Sequence, residues 1–387
     1  MSERVVMGHP WIFSGMVERF PDGIADGDEV WVRDARRRPM GTGLWNSRSK
    51  LLVRLLSRQK IHLDLKFFRE RIRAALDHRR QFFDDGMSFR LVHAEADGLS
   101  GLIVDIYGTT AVIQISALGL ELRKDLIVKA LIEECGVESI VERGDMATRQ
   151  LEGMGDESAI LHGNPPDILE FPLNDLQWQT SWRTGHKTGC YLDQQMNYSS
   201  VANLCKGRRV LDAFTFQGGF ASHAAAAGAA SITALDQSQG ALDQARAIQE
   251  RNGLPDVINW TQANVFDWLK TSTQLEASDA GKFDVIILDP PSFARNRSSL
   301  DQAFKGYKEI HLRAMKLLAP GGILATFCCS HHVSAAMYEE VVMQAAFDNR
   351  LIMKRIDTYT QSPDHPILPV IPETEYLKGF AYQSSPY

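Results

Sequence analysis

Over residues 1 to about 60, short runs of alternating apolar and polar residues are broken by turn-forming clusters. EVWVRDA (29–35), GTGLW (41–45) and LLVRLLS (51–57) have the composition and patterning of strands, separated by PDG, ADGD and RRRPMG. From Leu63 to Phe83 the period becomes helical, with Leu65, Phe68, Ile72, Ala75 and Leu76 on one face and arginines on the other. Beyond Asp84-Asp85-Gly86, FRLVHAEADG, GLIVDIYG, TAVIQIS and ESIVERGD read as strands and DLIVKALIEECG as a helix, a small α+β segment that closes near GNPPD (163–167). From about 170 the pattern changes again. RRVLDAF, ASITALD, VINWTQ, KFDVIILD, GILATFCC and LIMKRIDTY are strand-like, and helical patterns lie between them. A βαβα succession predicts a mostly parallel sheet with helices on both faces, right-handed crossovers, and ligands beyond the C-terminal strand ends.

Composition narrows the class without changing this picture. The chain has 387 residues, 44% apolar and 23% charged, enough for two or three domains of a globular protein. No stretch of ~20 uninterrupted apolar residues is present, and MSERVVMGHPW lacks the apolar centre of a signal peptide, so a cytoplasmic location is expected. The net charge of −6 is unevenly spread: residues 1–90 carry 18 Lys and Arg against 12 Asp and Glu, and the rest 24 against 36. A basic front on an acidic body suits a polyanionic partner, although solvated loops would show the same charge. The five cysteines are odd in number and contain no C-x-x-C pair, which argues against a disulfide framework, a zinc site or an iron–sulfur cluster. No metal is expected.

Candidate chemistry gathers at the predicted strand ends. VLDAFTFQGGF (210–220) joins a strand to a helix through a Gly-Gly pair, which permits close backbone approach to a ligand but is equally a packing device; it is not the G-x-G-x-x-G dinucleotide pattern. The next strand ends in Asp236, placed to accept both hydroxyls of a ribose. The third ends at QANVFD, where the Asn264 amide is suited to an adenine edge. FDVIILDPPSF (283–293) ends in Asp289-Pro290-Pro291, a stiff turn of the kind that holds flat heterocycles in nucleobase methylation. In GGILATFCCSHH (321–332), a thiol at the strand end is a nucleophile candidate. Period-two alternation lets only one of Cys328 and Cys329 face the cleft.

Taken in order along the chain, these motifs resemble the rRNA large-subunit methyltransferase I type of S-adenosylmethionine-dependent enzyme, which makes 5-methylcytosine in 23S rRNA. HPWIFSG (9–15) and GTGLWN (41–46) resemble its PUA RNA-binding domain, DGLSGLIVD (97–105) its central domain, and KTGCYLDQQ (187–195) the segment before its cofactor motif. DHP (364–366) and YLKGF (376–380) resemble its ending. The resemblance implies an α/β fold: a β-rich PUA-like domain over 1–68, a helical connector and central α+β domain over 69–170, and a class I (Rossmann-like) methyltransferase domain over 171–387. It implies that Asp212, Phe214, Gly218, Gly219, Asp236 and Asn264 hold S-adenosylmethionine, with Asp289, and that Tyr191 and Gln194 close over it. Arg36, Arg37, Arg38, Arg48 and Lys50 are the expected RNA contacts. RNA is the expected partner, no membrane is involved, and a homodimer is compatible with the sequence. Asn264 stands where an aspartate is usual, and His331-His332 where smaller residues are common.

The chemistry calls for a cysteine independently. C5 of cytosine is too poor a nucleophile to attack a sulfonium methyl, and thiolate addition to C6 makes C5 enamine-like. The family's Cys-Ser pair falls on Cys329-Ser330, which makes Cys329 the nucleophile, with Asp289 assisting at N3. Many RNA cytosine-5 methyltransferases have a second cysteine after the two prolines; here it is Ser292. Methylation of an exocyclic amine, which needs no cysteine, and a non-catalytic RNA-binding assembly role are the alternatives.

Overall fold

The computed structural model describes all residues except 1–2, 20–22, 85, 145, 156–157, 184–187, 275–281 and 295–296; Lys187 of the K-T-G-C motif and Pro21-Asp22 of the first predicted turn fall outside the described residues. The chain forms two compact units. The first comprises 1–173, 178–192 and 363–374. Its N-terminal sheet contains β1 (Trp11–Phe13), β2 (Glu29–Arg33), β3 (Pro39–Trp45) and β4 (Leu51–Ser57), in the order β1-β4-β3-β2. Gly41 is required in β3: its φ is +130°, and a Cβ there would fall 1.9 Å from the Ser57 carbonyl oxygen. The helix Leu65–Arg79 starts at Asp64, whose side chain accepts from Phe67 N, and it buries Phe67, Phe68, Ile72, Ala75 and Leu76.

A five-stranded sheet follows, with β5 (Phe89–His93), β6 (Leu102–Tyr107), β7 (Thr110–Ile115), β8 (Ser139–Arg143) and β9 (Ser158–His162) in sequential order. A hairpin of β10 (Ile168–Leu173) and β11 (Leu176–Ser181) completes this half of the chain. The segments 178–192 and 363–374, which the sequence patterning groups with the C-terminal region, belong to the first unit because they satisfy its buried charges. The fully buried Arg79 guanidinium donates to the Asp97 carboxylate and, at 2.7 Å, to the Asp364 carbonyl. Asp364 Oδ2 accepts from Arg90 N at 2.7 Å. Arg90 forks onto Asp105, whose carboxylate also takes the Thr188 hydroxyl, and the Tyr107 hydroxyl accepts from Cys190 N. Unpaired, any of these buried charges would be severely destabilising.

The second unit, 174–177, 193–362 and 375–387, is built on a seven-stranded sheet. Its strands are β12 (Arg209–Ala213), β13 (Ser231–Asp236), β14 (Ile258–Gln262), β15 (Phe283–Leu288), β16 (Leu318–Cys328), β17 (Leu351–Thr360) and β18 (Lys378–Pro386), ordered β14-β13-β12-β15-β16-β18-β17. Neighbours from β14 to β16 pair in parallel, and β18 alone is reversed, antiparallel to both β16 and β17. The mostly parallel sheet read from the sequence is therefore present with one reversed strand. KGFAYQSSP gives no clean signal for that strand: four consecutive residues, Gly379 to Tyr382, are buried, and Gly and Ser weaken the strand composition. Gly379 is fixed by packing, since a Cβ would lie 2.4 Å from the Phe327 ring. The chain order reverses between β12 and β15, where open parallel sheets bind ligands. No helix among the described residues is long and apolar enough to cross a membrane.

Candidate active site

The loop after β12 is shaped by one buried carboxylate. Asp212 is fully buried, and its Oδ2 accepts from the Thr215 hydroxyl and, at 3.0 Å, from Ala221 N in the first turn of helix Gly219–Ala226. Its Oδ1 has no partner among the described residues, and burial pushes the carboxyl up to about 7. Phe214, Phe216 and Gly218 all have positive φ, at 69°, 50° and 79°. The tight loop they form is closed by backbone hydrogen bonds: Thr215 N donates to the Leu235 carbonyl at 2.9 Å and Gly218 N to the Thr215 carbonyl at 2.8 Å. Both glycines also have packing reasons: a Cβ on Gly218 would lie 2.5 Å from Trp260, and one on Gly219 would lie 2.4 Å from the Tyr198 ring.

At the end of β13, Asp236 braces the same loop. Its Oδ2 accepts from Phe216 N and its Oδ1 from Ser238 N, each at 2.9 Å. Each oxygen keeps a lone pair for a further donor. Asn264, exposed after β14, caps the helix Val265–Gln274 by accepting from Phe266 N and Asp267 N through Oδ1. The cap commits its oxygen and leaves the amide NH2 as the group available to a ligand.

Across the switch point, Asp289 follows β15 and accepts from Gln194 Nε2 at 3.0 Å. Gln194 in turn accepts from Asn197 Nδ2 at 2.7 Å. The Asp-Pro-Pro-Ser loop is tied to the end of β16 by hydroxyls: Ser292 Oγ lies 2.7 Å from Ser330 Oγ, and Ser330 Oγ lies 3.0 Å from the Tyr307 hydroxyl. Cys328, the last residue of β16, is fully buried in the core, with its Sγ 3.5 Å from the Tyr307 hydroxyl. Cys329, one residue further, is half-buried, and its Sγ lies 4.0 Å from the Pro290 carbonyl oxygen. Of the two, Cys329 is the one at the Asp-Pro-Pro loop. All five cysteines are free thiols.

The second unit thus contains Gln194, Asp212, Phe214, Gly218, Gly219, Asp236, Asn264, Asp289 and Cys329, each at or beside a C-terminal strand end except Gln194, which precedes helix Gln195–Ala202. Tyr191 belongs to the first unit. So do the basic residues: Arg36, Arg37 and Arg38 are exposed in the turn between β2 and β3. Arg38 pairs with Asp34 at 2.7 Å and Arg48 with Asp26 at 3.5 Å, whereas Arg36, Arg37 and Lys50 make no ion pair among the described residues. Sequence patterning missed Thr215 and Tyr307. Each is one hydroxyl on an otherwise ordinary element and has no spacing signal.

Carboxylates at three strand ends and a buried carboxylate oxygen without a partner among the described residues suit a cationic amino-acid nucleoside. The fold and this site define a class I S-adenosylmethionine-dependent methyltransferase, and residues 149–368 match the family described by that cofactor and activity, while residues 2–58 match the PUA-like domain family. The chain is 38% identical over 386 residues to the ribosomal RNA large subunit methyltransferase I of Aeromonas salmonicida, covering 97% of this chain and 95% of the relative. The protein of the same name from Shewanella frigidimarina is 39% identical over 378 residues, covering 96% and 94%. A Streptococcus mutans structure described as a SAM-dependent methyltransferase superposes with a TM-score of 0.82 at 20% identity, covering 98% of this chain and 97% of its own. A second structure, described as a methyltransferase complexed with SAH, gives 0.83 at 21%, with the same coverage. The chain belongs to the ribosomal RNA large subunit methyltransferase I family. It is an S-adenosylmethionine-dependent rRNA methyltransferase built from a PUA-like and a methyltransferase domain.

Asp236→Ala removes a carboxylate that braces the loop and would accept the ribose hydroxyls, each charged hydrogen bond being worth ~1.5–3 kcal/mol. Affinity for S-adenosylmethionine measured by calorimetry should fall at least about tenfold, at ~1.4 kcal/mol per decade. Unchanged binding would remove Asp236 from the site.

Proposed function

We propose that the chain makes 5-methylcytosine in 23S rRNA, in the cytoplasm, through a covalent bond between Cys329 and C6 of the target base. One observation carries the reading: of the adjacent thiols, Cys328 is sealed in the core while Cys329 stands half-buried beside the Pro290 carbonyl. A methyltransferase acting on an exocyclic amine has no use for such a thiol. When bound, S-adenosylmethionine supplies an electrophilic methyl group on a sulfonium sulfur. Asp212, Phe214, Gly218, Gly219, Asp236 and Asn264 would hold it, with Gln194 and Asp289. Residues 1–68 would serve RNA contact, 69–170 would connect, and 171–387 would carry the chemistry.

The chain's own groups act as follows. The Cys329 thiolate forms a bond to C6, and the electron pair displaced from the C5=C6 bond makes C5 nucleophilic. A protonated N3 donates to the Asp289 carboxylate, which Gln194 orients, and this favours that addition. After C5 is methylated, a base takes the C5 proton, the double bond re-forms and the thiolate leaves. Ser292 has no thiol to share in that release, so Cys329 departs unaided by a second cysteine.

The exposed basic turn supplies phosphate contacts in this reading. Because Arg38 is already held by Asp34, Arg36 and Arg37 are the turn's cations without an ion pair among the described residues. Neutralising Arg36, Arg37 and Arg38 together should weaken RNA binding and reduce the slope of log K against log salt by about 2, at ~0.7–0.9 per phosphate contact. Cofactor affinity should not move. An unchanged slope would make the turn a solvated loop.

Cys329→Ala should abolish methyl transfer to rRNA while leaving S-adenosylmethionine binding intact. Cys328→Ala should keep activity and cost ~1 kcal/mol of stability for a small buried side chain. Full activity in both variants would instead favour the exocyclic amine. Loss in Cys328→Ala alone would move the nucleophile to that residue.

A further inference from the structure

YLKGF (376–380) begins β18, the reversed strand that sequence patterning did not foresee, and its lysine has no part in the chemistry described above. The sheet register sets Lys378 directly opposite Cys328, the last residue of β16, and its long side chain extends past that strand end. There its Nζ donates at 2.6 Å to the carbonyl of Ser330 and at 2.6 Å to that of Val333. These are the first and last residues of the turn carrying His331 and His332, and they begin one residue after Cys329. An ammonium has three N–H donors. Among the described residues the third has no partner, and no carboxylate forms an ion pair with Lys378.

A half-buried ammonium held by two neutral carbonyls is a costly arrangement unless its charge is used. Burial pushes Lys378 below the usual lysine range, while the thiols of Cys328 and Cys329 and then the Glu375 carboxylate pull it back up. Attraction between two titrating groups is reciprocal: an anion at Cys329 that favours the ammonium is favoured by it equally. Cys328 cannot use that attraction for chemistry because it is sealed in the core.

We propose that Lys378 is a positioning residue for the nucleophile: its ammonium, anchored on the Ser330 and Val333 carbonyls, holds the neighbouring Cys329 in the thiolate form that adds to the base. This rests on Cys329 being the nucleophile. The other titratable groups on the elements that meet at this strand end are Asp289 on the Asp-Pro-Pro loop, Tyr307 on the helix Leu300–Lys316, Cys328 on β16, Glu375 before β18, and His331 and His332 on the turn. A carboxylate at Asp289 or Glu375 would oppose the thiolate, not favour it. The two histidines are exposed, so water screens them, whereas Lys378 acts from a half-buried position.

The test is the pH profile of Cys329 alkylation by iodoacetamide on the full chain, resolved by mass spectrometry, which requires no methyl transfer. In the native sequence the midpoint should lie below ~8.5, the value of an ordinary free cysteine. Lys378→Gln, which keeps a donor for the carbonyls but removes the charge, should raise the midpoint by at least about one unit, or ~1.4 kcal/mol. Lys378→Arg should restore it to within about half a unit of the native value. Replacing His331 and His332 by glutamine should leave it unchanged. A native midpoint at or above ~8.5 overturns the proposal without any variant, so it is decided even if Lys378→Gln fails to fold. A shift that follows the histidines, or none in Lys378→Gln, overturns it as well. Activity retained in Cys329→Ala would instead overturn the nucleophile reading, a separate result.

Discussion

Three hydroxyls in a row fix the chemistry of this site. Ser292 on the Asp-Pro-Pro loop, Ser330 after β16 and Tyr307 on the helix Leu300–Lys316 form a continuous hydrogen-bonded bridge, 2.7 and 3.0 Å in its two links. The bridge joins the Asp-Pro-Pro loop to the strand end that carries the thiols. With both ends tied, the spacing between Pro290 and Cys329 is set by covalent geometry and two short bonds. Proline at 290 and 291 removes two backbone donors and stiffens the loop, so the hydroxyl bridge has a rigid partner. Orientation of this kind is the part of catalysis that a folded scaffold supplies most cheaply.

The cofactor half of the cleft depends on a different constraint, the burial of Asp212. A carboxyl pushed up to about 7 by its surroundings costs the free chain stability as pH rises from the ordinary carboxylate range through that value. One oxygen offsets the cost by organising the loop through Thr215 and Ala221, while the other has no partner among the described residues. Asp236 then locks the loop from the neighbouring strand. The shape of this loop is thus set by two carboxylates from adjacent strands.

Much of this was legible in the sequence because strand ends in a parallel sheet carry chemistry, and alternation identifies strands. Asp212, Asp236, Asn264, Asp289 and the cysteine pair all sit where periodicity put them. Patterning failed where a residue's role depends on a partner far along the chain. Tyr307 lies 23 residues before the Ser330 it meets, and nothing in the helical pattern distinguishes it from a packing tyrosine. Lys378 lies 48 residues from Ser330, on a strand whose Gly, Ala and Ser composition hides it. The segments 178–192 and 363–374 were assigned by position in the chain, whereas their place is set by Arg79, Arg90 and Asp105, buried charges that needed partners.

The central claim is a covalent bond from Cys329 to the base, and a trapped adduct tests it most directly. RNA containing 5-fluorocytosine at the target position has no C5 proton to lose, so the bond from thiolate to C6 would persist after methyl transfer. Incubated with the enzyme and S-adenosylmethionine, it should give a denaturation-stable complex whose peptide fragmentation places the nucleotide on Cys329. Efficient methylation of ordinary RNA with no adduct on the fluorinated one, or an adduct on Cys328, would contradict the account.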